Sequence, residues 1–260
     1  IPLITGSIMC KKMAEGIDSL VLNVKWGAGA FMRTIEDATT LAQSMVRVGK
    51  AMNKGMVALI TDMNQPLGRT AGNALEIIES MECLQGQHLD GDLMNITLAL
   101  TAEMLLLGKK AATVEEARAI LEKIIASGAA FDKFKEMAAL HGADVSALDD
   151  LSRLPRASII HPFPAPTAGY ISKVDAESIG RAVLVLGGGR QKTDDRIDYA
   201  VGTSGLVKIG ESVQAGQPLV TIHANSQEKL AQALTHMEKA FAISAEPVTP
   251  PKPIVARITG

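Results

Sequence analysis

Two strand-length apolar runs separated by one amphipathic helix constrain the fold of this chain more than any other feature. Residues 19–24 and 56–60 are apolar runs bounded by turn-forming residues. Between them, residues 35–48 carry apolar side chains at helical spacing, and Thr34 with Asp37 resembles an N-terminal capping box. Two strands joined through a helix form a right-handed crossover with parallel strands. The pattern therefore predicts the α/β class.

The rest of the chain divides into a helical part and a part with short strands. Glycines punctuate the helical part, and the expected helices are 74–84, 89–107, 114–125 and 131–140. Several prolines follow Pro155, and beyond them the expected elements are strands at 168–174, 182–186, 206–209, 212–213 and 219–223, a helix at 227–242 and a proline-rich tail. Residues 209–223 have the turn and strand spacing of a hammerhead barrel, the shape of biotinyl and lipoyl carriers. We expect a large parallel-sheet α/β domain with a helical segment, followed by a smaller, α+β, hammerhead-barrel-like C-terminal domain.

Composition excludes several classes of protein. The 260 residues are 47% apolar with a net charge of -2, which excludes a disordered chain. Aromatic residues make up only 3%, and no basic excess exists, so neither nucleic acid nor an anionic membrane is an expected partner. Cys10 and Cys83 show no metal or disulfide spacing, and no apolar stretch approaches 18 residues. We therefore expect a cytoplasmic protein that acts on small neutral or anionic ligands.

Ser7 and Lys11 form the first candidate site. They are four residues apart in a segment expected to be helical, 6–16, so their side chains share one face. A lysine ammonium only donates hydrogen bonds, whereas a hydroxyl both donates and accepts. The pair would therefore suit a planar base with carbonyl oxygens and a ring N–H. Such pairs are common on solvated helices, and the spacing alone indicates no ligand.

Three glycine-rich or polar loops are weaker candidates. Residues 27–31 follow a buried strand but lack the third glycine of a dinucleotide fingerprint, which favours a tight turn. Residues 187–190 could cradle an anion, although a barrel turn is the simpler interpretation. Oxygens of the polar loop 62–73, together with Glu79, could ligate a hard cation, and otherwise the segment is a surface loop. The five histidines are scattered and are interpreted as surface or capping residues, and no nucleophile elbow or P-loop is present.

Five segments taken together resemble a known family, the thymidine and pyrimidine-nucleoside phosphorylases. They are Pro-Leu-Ile-Thr-Gly-Ser-Ile-Met-Cys-Lys-Lys-Met-Ala-Glu-Gly, Val-Lys-Trp-Gly-Ala-Gly-Ala-Phe, Thr-Asp-Met-Asn-Gln-Pro-Leu-Gly, Ala-Gly-Asn-Ala-Leu-Glu and Ile-Asp-Tyr-Ala-Val-Gly. The likeness runs in order over essentially the whole chain. It implies reversible phosphorolysis of a pyrimidine nucleoside, with phosphate as co-substrate and no organic cofactor, in a homodimer.

The resemblance also assigns roles to individual residues. Ser7 and Lys11 match the base-binding serine and lysine, and Lys11 would stabilise negative charge on the departing base. A potassium ion would be held by carbonyl oxygens at Leu67 and Thr70 and by the carboxylate of Glu79. Asn23 departs from the family pattern, because an aspartate usually precedes the Val-Lys pair.

The domain assignment follows from the same resemblance. Residues 1–16 would be the last helix of the small all-α domain, 17–156 the core of the α/β domain, and 157–260 the C-terminal α+β domain. The family's phosphate-binding residues match positions that would precede Ile1, so we expect these 260 residues to be inactive by themselves. A non-catalytic dimerisation or binding module derived from such an enzyme is the alternative. A carrier domain is disfavoured because the hammerhead segment lacks a Met-Lys-Met hairpin. The resemblance leaves thymidine-only and broad pyrimidine specificity both open.

Overall fold

The computed structural model describes all of residues 1–260. The helices are α1 (Pro2–Ala14), α2 (Ile35–Ala51), α3 (Asn73–Leu84), α4 (Asp92–Leu107), α5 (Val114–Ala126), α6 (Ala129–Leu140), α7 (Ser146–Asp149), α8 (Ala176–Val183) and α9 (Gln227–Ala240). The strands are β1 (Ser19–Trp26), β2 (Gly55–Asp62), β3 (Ala71–Gly72), β4 (Ile159–Pro164), β5 (Gly169–Val174), β6 (Gly202–Ser204), β7 (Ser212–Val213), β8 (Pro218–Ala224), β9 (Phe241–Ser244) and β10 (Ile254–Thr259). None of the helices is long and apolar enough to cross a lipid bilayer.

The chain forms two compact units that are interleaved in sequence. The first unit comprises residues 1–63, 89–127 and 252–260, and the second comprises 64–88 and 128–251. This division differs from the domain assignment predicted from the sequence, which has boundaries between residues 16 and 17 and between residues 156 and 157. The physical reason in the first unit is that β10, near the end of the sequence, pairs with β2. Each unit is described separately below.

The first unit contains the predicted parallel pair of strands. The three-stranded sheet has the order β1-β2-β10, with β1 parallel to β2 in a register that runs from Ser19 opposite Gly55 to Trp26 opposite Asp62. Residues 56–62 of β2 are buried throughout, as expected of a strand covered on both faces. Strand β10 adds an antiparallel edge. The predicted α/β class is therefore confirmed.

Helix α2 joins the two parallel strands and begins at the predicted cap. The Thr34 hydroxyl accepts a hydrogen bond from the backbone N–H of Asp37, which satisfies one of the free amides of the first turn. Ala38, Leu41 and Met45 on its apolar face are buried in the cluster that also contains residues of β1 and β2. The capping residues and the helical periodicity together determine this element.

The second unit is built from two antiparallel sheets and their covering helices. One sheet has the order β3-β6-β8-β4 and the other the order β7-β5-β9. Helices α8 and α9 pack against the first sheet, and Ile179, Val220, Ile222 and Met237 lie in the shared core. Except at 182–186 and 206–209, the strands predicted beyond Pro166 lie close to their expected positions, as does the helix predicted at 227–242. The expected α+β character of the C-terminal part is confirmed, although the unit that contains it is the larger of the two.

The predicted strand at 182–186 is wrong, because these residues are helical. Helix α8 begins after Asp175, whose carboxylate accepts a hydrogen bond from the Ser178 backbone N–H at 2.8 Å. The chain continues as a π-helical turn over Leu184–Gly188. A short apolar run does not distinguish a buried strand from a buried helix. The N-terminal cap decides between the two here.

Two further expectations near the end of the chain are also corrected. Residues 206–209 form no strand; the backbone N–H groups of Leu206 and Val207 instead donate to the carbonyls of Arg69 and Leu219. The proline-rich tail contains β10, which pairs with β2 almost 200 positions earlier. Prolines suggest irregular backbone locally, but they do not exclude a strand that lies between them and the chain end.

Candidate functional site

Ser7 and Lys11 lie together on the exposed face of α1. The opposite face of α1 is anchored: Met9 is buried in the core of the first unit, and the Thr5 hydroxyl donates to Ser44 on α2 at 3.1 Å. Both Ser7 and Lys11 are exposed. One helix face therefore presents a hydroxyl and an ammonium side by side, as the spacing predicts.

The turn at residues 27–31 uses its own amides and does not form an open anion site. Gly27 has a φ of +118°, which L-residues rarely adopt, and its N–H donates to the Met32 carbonyl. The N–H groups of Gly29 and Ala30 donate to the carbonyls of Met63 and Gly27. Phe31, at the tip, is 83% exposed. The interpretation as a tight turn agrees with this geometry.

The segment 187–190 follows the π-helical turn and likewise has internal partners. The Gly187 carbonyl accepts a hydrogen bond from the backbone N–H of Asp198 at 2.9 Å. Just beyond the segment, the amides of Gln191 and Lys192 both donate to the Asp195 carboxylate at 2.9 Å. These two amide hydrogen bonds are the main cause that lowers the pKa of Asp195. The Asp195 carboxylate of the chain itself therefore accepts the hydrogen bonds of the Gln191 and Lys192 amides.

The loop before α3 wraps around the carboxylate of Glu79. One carboxylate oxygen accepts from the backbone N–H of Arg69 and the other from the hydroxyl of Thr70, each at 2.6 Å. Glu79 also lies against the backbone of Gly68, where a Cβ atom would collide with the carboxylate. Two of the three residues predicted to bind a cation, Thr70 and Glu79, are therefore in direct contact, although the contact uses the Thr70 hydroxyl and not its predicted carbonyl ligand.

The carbonyl side of the same loop contacts Lys208, which directly precedes the barrel segment 209–223. The ammonium of Lys208 donates to the carbonyl oxygens of Pro66 and Leu67, the latter at 3.0 Å. Gln65 is buried, and its side-chain oxygen accepts from the backbone N–H of Ile209 at 3.0 Å. Leu67, the third predicted ligand, therefore already presents its oxygen to a positive charge.

An ion pair ties the loop to the same barrel segment. The guanidinium of Arg69 contacts both carboxylate oxygens of Glu211 and also donates to the Leu206 carbonyl at 3.0 Å. Burial would raise the pKa of Glu211, but the Arg69 hydrogen bond and the Lys208 backbone N–H together lower it below its ordinary value. The loop and the segment 206–211 form one hydrogen-bonded structure.

The oxygen donors of this loop fit a hard cation. Carbonyl and carboxylate oxygens are the ligands that such ions prefer, and here the Lys208 ammonium serves as a stand-in cation on the Leu67 oxygen. No group of three or more His, Cys, Asp or Glu side chains is placed to hold a metal ion. The donor set is dominated by backbone carbonyls with a single carboxylate, which suits a weakly charged ion better than a transition metal.

Sequence reasoning missed Lys208, Arg69 and Glu211 as members of this site. Lys208 lies 141 positions from Leu67 along the chain, and no local motif signals that the two meet. The barrel spacing of residues 209–223 predicted the turn in which Glu211 lies, but not what the turn contacts. A contact between distant segments of a chain has no signature in the local pattern of either segment.

Comparison with known proteins identifies the family. Residues 2–131 match the family described as "Glycosyl transferase family, a/b domain", and residues 170–244 match "Pyrimidine nucleoside phosphorylase C-terminal domain". Over 250 residues the chain is 45% identical to the pyrimidine-nucleoside phosphorylase of Bacillus subtilis (strain 168) and 44% identical to that of Staphylococcus aureus (strain USA300). The chain belongs to the pyrimidine-nucleoside phosphorylase family. Each alignment covers 96% of this chain but only 57% of the relative.

The family match covers both candidate sites. The family matches cover α1, which carries Ser7 and Lys11, as well as the loop and α3, which carry Leu67, Thr70 and Glu79. The chain spans somewhat more than half the length of the curated relatives that it matches. The roles of these residues and the activity of the whole protein are therefore taken up as proposals.

Proposed function

We propose that this chain takes part in the phosphorolysis of pyrimidine nucleosides and that α1 binds the base. The observation that carries the proposal is the placement of Ser7 and Lys11 on the exposed face of a helix whose other face is anchored in the core. A rigid helix holds the two groups at a fixed separation, as recognition of a planar base requires. Family membership supplies the reaction class, that of a pentosyltransferase.

The chemistry gives each side chain a task. A phosphate oxygen forms a bond to the anomeric carbon of the sugar as the bond from that carbon to the base nitrogen breaks. The bonding electron pair leaves with the base, so negative charge develops on its ring nitrogen and carbonyl oxygens. The Lys11 ammonium stabilises that charge, and the Ser7 hydroxyl orients the base by a hydrogen bond. The products are the free base, after it takes up a proton, and a ribose or deoxyribose 1-phosphate, and the reaction is reversible.

The cation site belongs to the same proposal. Carbonyl oxygens at Leu67 and Thr70 and the carboxylate of Glu79 would hold a potassium ion, whose contribution is to fix the loop before α3. Thymidine, uridine and deoxyuridine are the proposed substrates, with phosphate as co-substrate and a homodimer as the assembly. The family relationship and the oxygen-rich loop support these assignments.

Direct binding of the free base tests the role of α1. Saturation-transfer NMR of uracil with the 260-residue chain should show transfer for the wild type and a loss of at least fivefold for Lys11→Met, because the principal donor to the base is removed. Ser7→Ala should reduce the transfer by a smaller factor. The matched control is Lys12→Met, which removes the adjacent lysine that pairs with Glu15. Equal loss for Lys11→Met and Lys12→Met would exclude a specific base site on α1.

A further inference from the structure

The loop before α3 lies between a positive and a negative side chain. On one side the Lys208 ammonium contacts the carbonyls of Pro66 and Leu67, and on the other the Glu79 carboxylate contacts Arg69 and Thr70. Lys208 has no role in the reaction proposed above. It nevertheless shares the Leu67 oxygen with the proposed cation site.

Charged side chains of both signs contact this loop. Glu79 carries one negative charge and Lys208 one positive charge, Arg69 pairs with Glu211, and the carboxylate of Glu76 accepts from the backbone N–H of Gly72. Lys208 therefore places a positive charge on one of the carbonyl oxygens of the proposed cation site. A cation held by the Leu67 carbonyl would share that oxygen with the Lys208 ammonium, which donates to it at 3.0 Å.

We propose that Lys208 determines the charge selectivity of the cation site, admitting a monovalent ion and excluding a divalent one. Coulomb repulsion scales with the charge of the ion, so the ammonium opposes Ca²⁺ twice as strongly as K⁺. Glu79 is the only carboxylate among the proposed ligands and attracts either ion. This inference rests on the proposed cation site and names the residue that selects its ion.

Charge and hydrogen bonding at position 208 are separable by substitution. Lys208→Gln removes the charge and leaves an amide group with two N–H donors for the carbonyls of Pro66 and Leu67. Lys208→Arg keeps the charge and the donors. A purely structural lysine would be replaced about equally well by glutamine and arginine, whereas a charge filter would be retained only by arginine.

The test measures the thermal unfolding midpoint of the 260-residue chain as a function of KCl or CaCl₂, with ionic strength held constant by choline chloride. The concentration dependence of the midpoint gives an apparent Kd for each ion. We expect K⁺ to stabilise the wild type and Lys208→Arg, with Ca²⁺ much weaker. In Lys208→Gln the ratio of Ca²⁺ to K⁺ affinity should rise on the order of tenfold. Lys239→Gln, which removes an exposed lysine of α9, is the control and should keep the wild-type ratio.

Three results would overturn the inference. An unchanged affinity ratio in Lys208→Gln would show that Lys208 is not the filter and would leave the cation site in place. Equal stabilisation of the wild type by Ca²⁺ and K⁺ would also show that Lys208 does not select the ion. This result depends on the wild type alone, so it can be obtained even if no variant folds. Stabilisation of the wild type by neither ion would refute the cation site together with the inference. The proposal for base binding on α1 has its own NMR test and is independent of all three.

Discussion

At the scale of single residues, the surroundings of Lys25 change the pKa of its ammonium group. Lys25 has a buried ammonium without a hydrogen-bond partner; burial lowers its pKa, while the nearby Asp62 carboxylate raises it in part. Asn23, on the same face of β1, is the residue for which the resemblance leads us to expect an aspartate, and it accepts a hydrogen bond from Thr61. A neutral residue at this position leaves Asp62 as the one carboxylate that acts on Lys25.

His223 makes the stability of the second unit depend on pH. Its ring nitrogen lies 2.8 Å from the Ser204 hydroxyl, and burial lowers its pKa from the ordinary 6.5. The unfolded chain therefore binds more protons than the folded chain as the pH falls through about 6.5, and folding loses stability there. The stabilising contribution of the neutral ring is complete above that pH.

Urea denaturation at pH 7.5, 6.5 and 5.5 checks this prediction. The free energy of unfolding should fall with pH more steeply for the wild type than for His223→Gln, which cannot take up the proton. His141→Gln, which removes an exposed histidine, is the control and should keep the wild-type slope. If His223→Gln and wild type showed the same slope between pH 7.5 and 5.5, the lowered pKa of His223 would be refuted.

At the scale of helices and strands, the local sequence correctly predicts elements that have a capping residue and a clear apolar periodicity. Helix α2 has a cap and an apolar face, and both appear in the structure where the sequence places them. The sequence predicts a strand at 182–186, within the helical region 176–188, because the apolar run there is short. It does not predict β10, which lies within a proline-rich tail. The pairing of β10 depends on a partner in β2 that no local pattern reveals.

An ion pair between Arg257 and Glu103 holds β10 against α4. The guanidinium binds both carboxylate oxygens, at 2.5 and 2.9 Å, and Glu103 is 5% exposed. Arg257→Met should destabilise the chain by roughly 2 kcal/mol, because it leaves a buried carboxylate without its partner. This figure is below the usual cost of breaking a buried pair because the Arg257 side chain is half exposed.

The urea midpoint of the variants measures this effect. Arg257→Lys keeps the charge but not the two parallel hydrogen bonds, so it should lie between wild type and Arg257→Met. The double variant Glu103→Leu with Arg257→Met should recover part of the loss, because neither charge is then left unpaired. An Arg257→Met midpoint equal to that of wild type would show that the pair does not anchor β10.

At the scale of the whole molecule, the sequence predicts the fold class and the shared helix face of Ser7 and Lys11, but not the surroundings of the loop before α3. Ser7 and Lys11 are local to one helix, so spacing alone places them together. Lys208 and Arg69 take their positions from contacts between distant segments of the second unit. The resemblance to a family led to the proposed ligands of the loop, whereas only the structure shows which groups contact their oxygens.

The central proposal is that these 260 residues contribute to binding of the base and of a cation in pyrimidine-nucleoside phosphorolysis but do not bind phosphate by themselves. The most direct test is an assay of uracil release from uridine by the purified chain, free of other polypeptides, with and without inorganic phosphate. We predict no phosphate-dependent release, although the same preparation binds uracil. Phosphate-dependent release of uracil that is lost in Lys11→Met would contradict the claim, because the chain would then contain a phosphate site of its own.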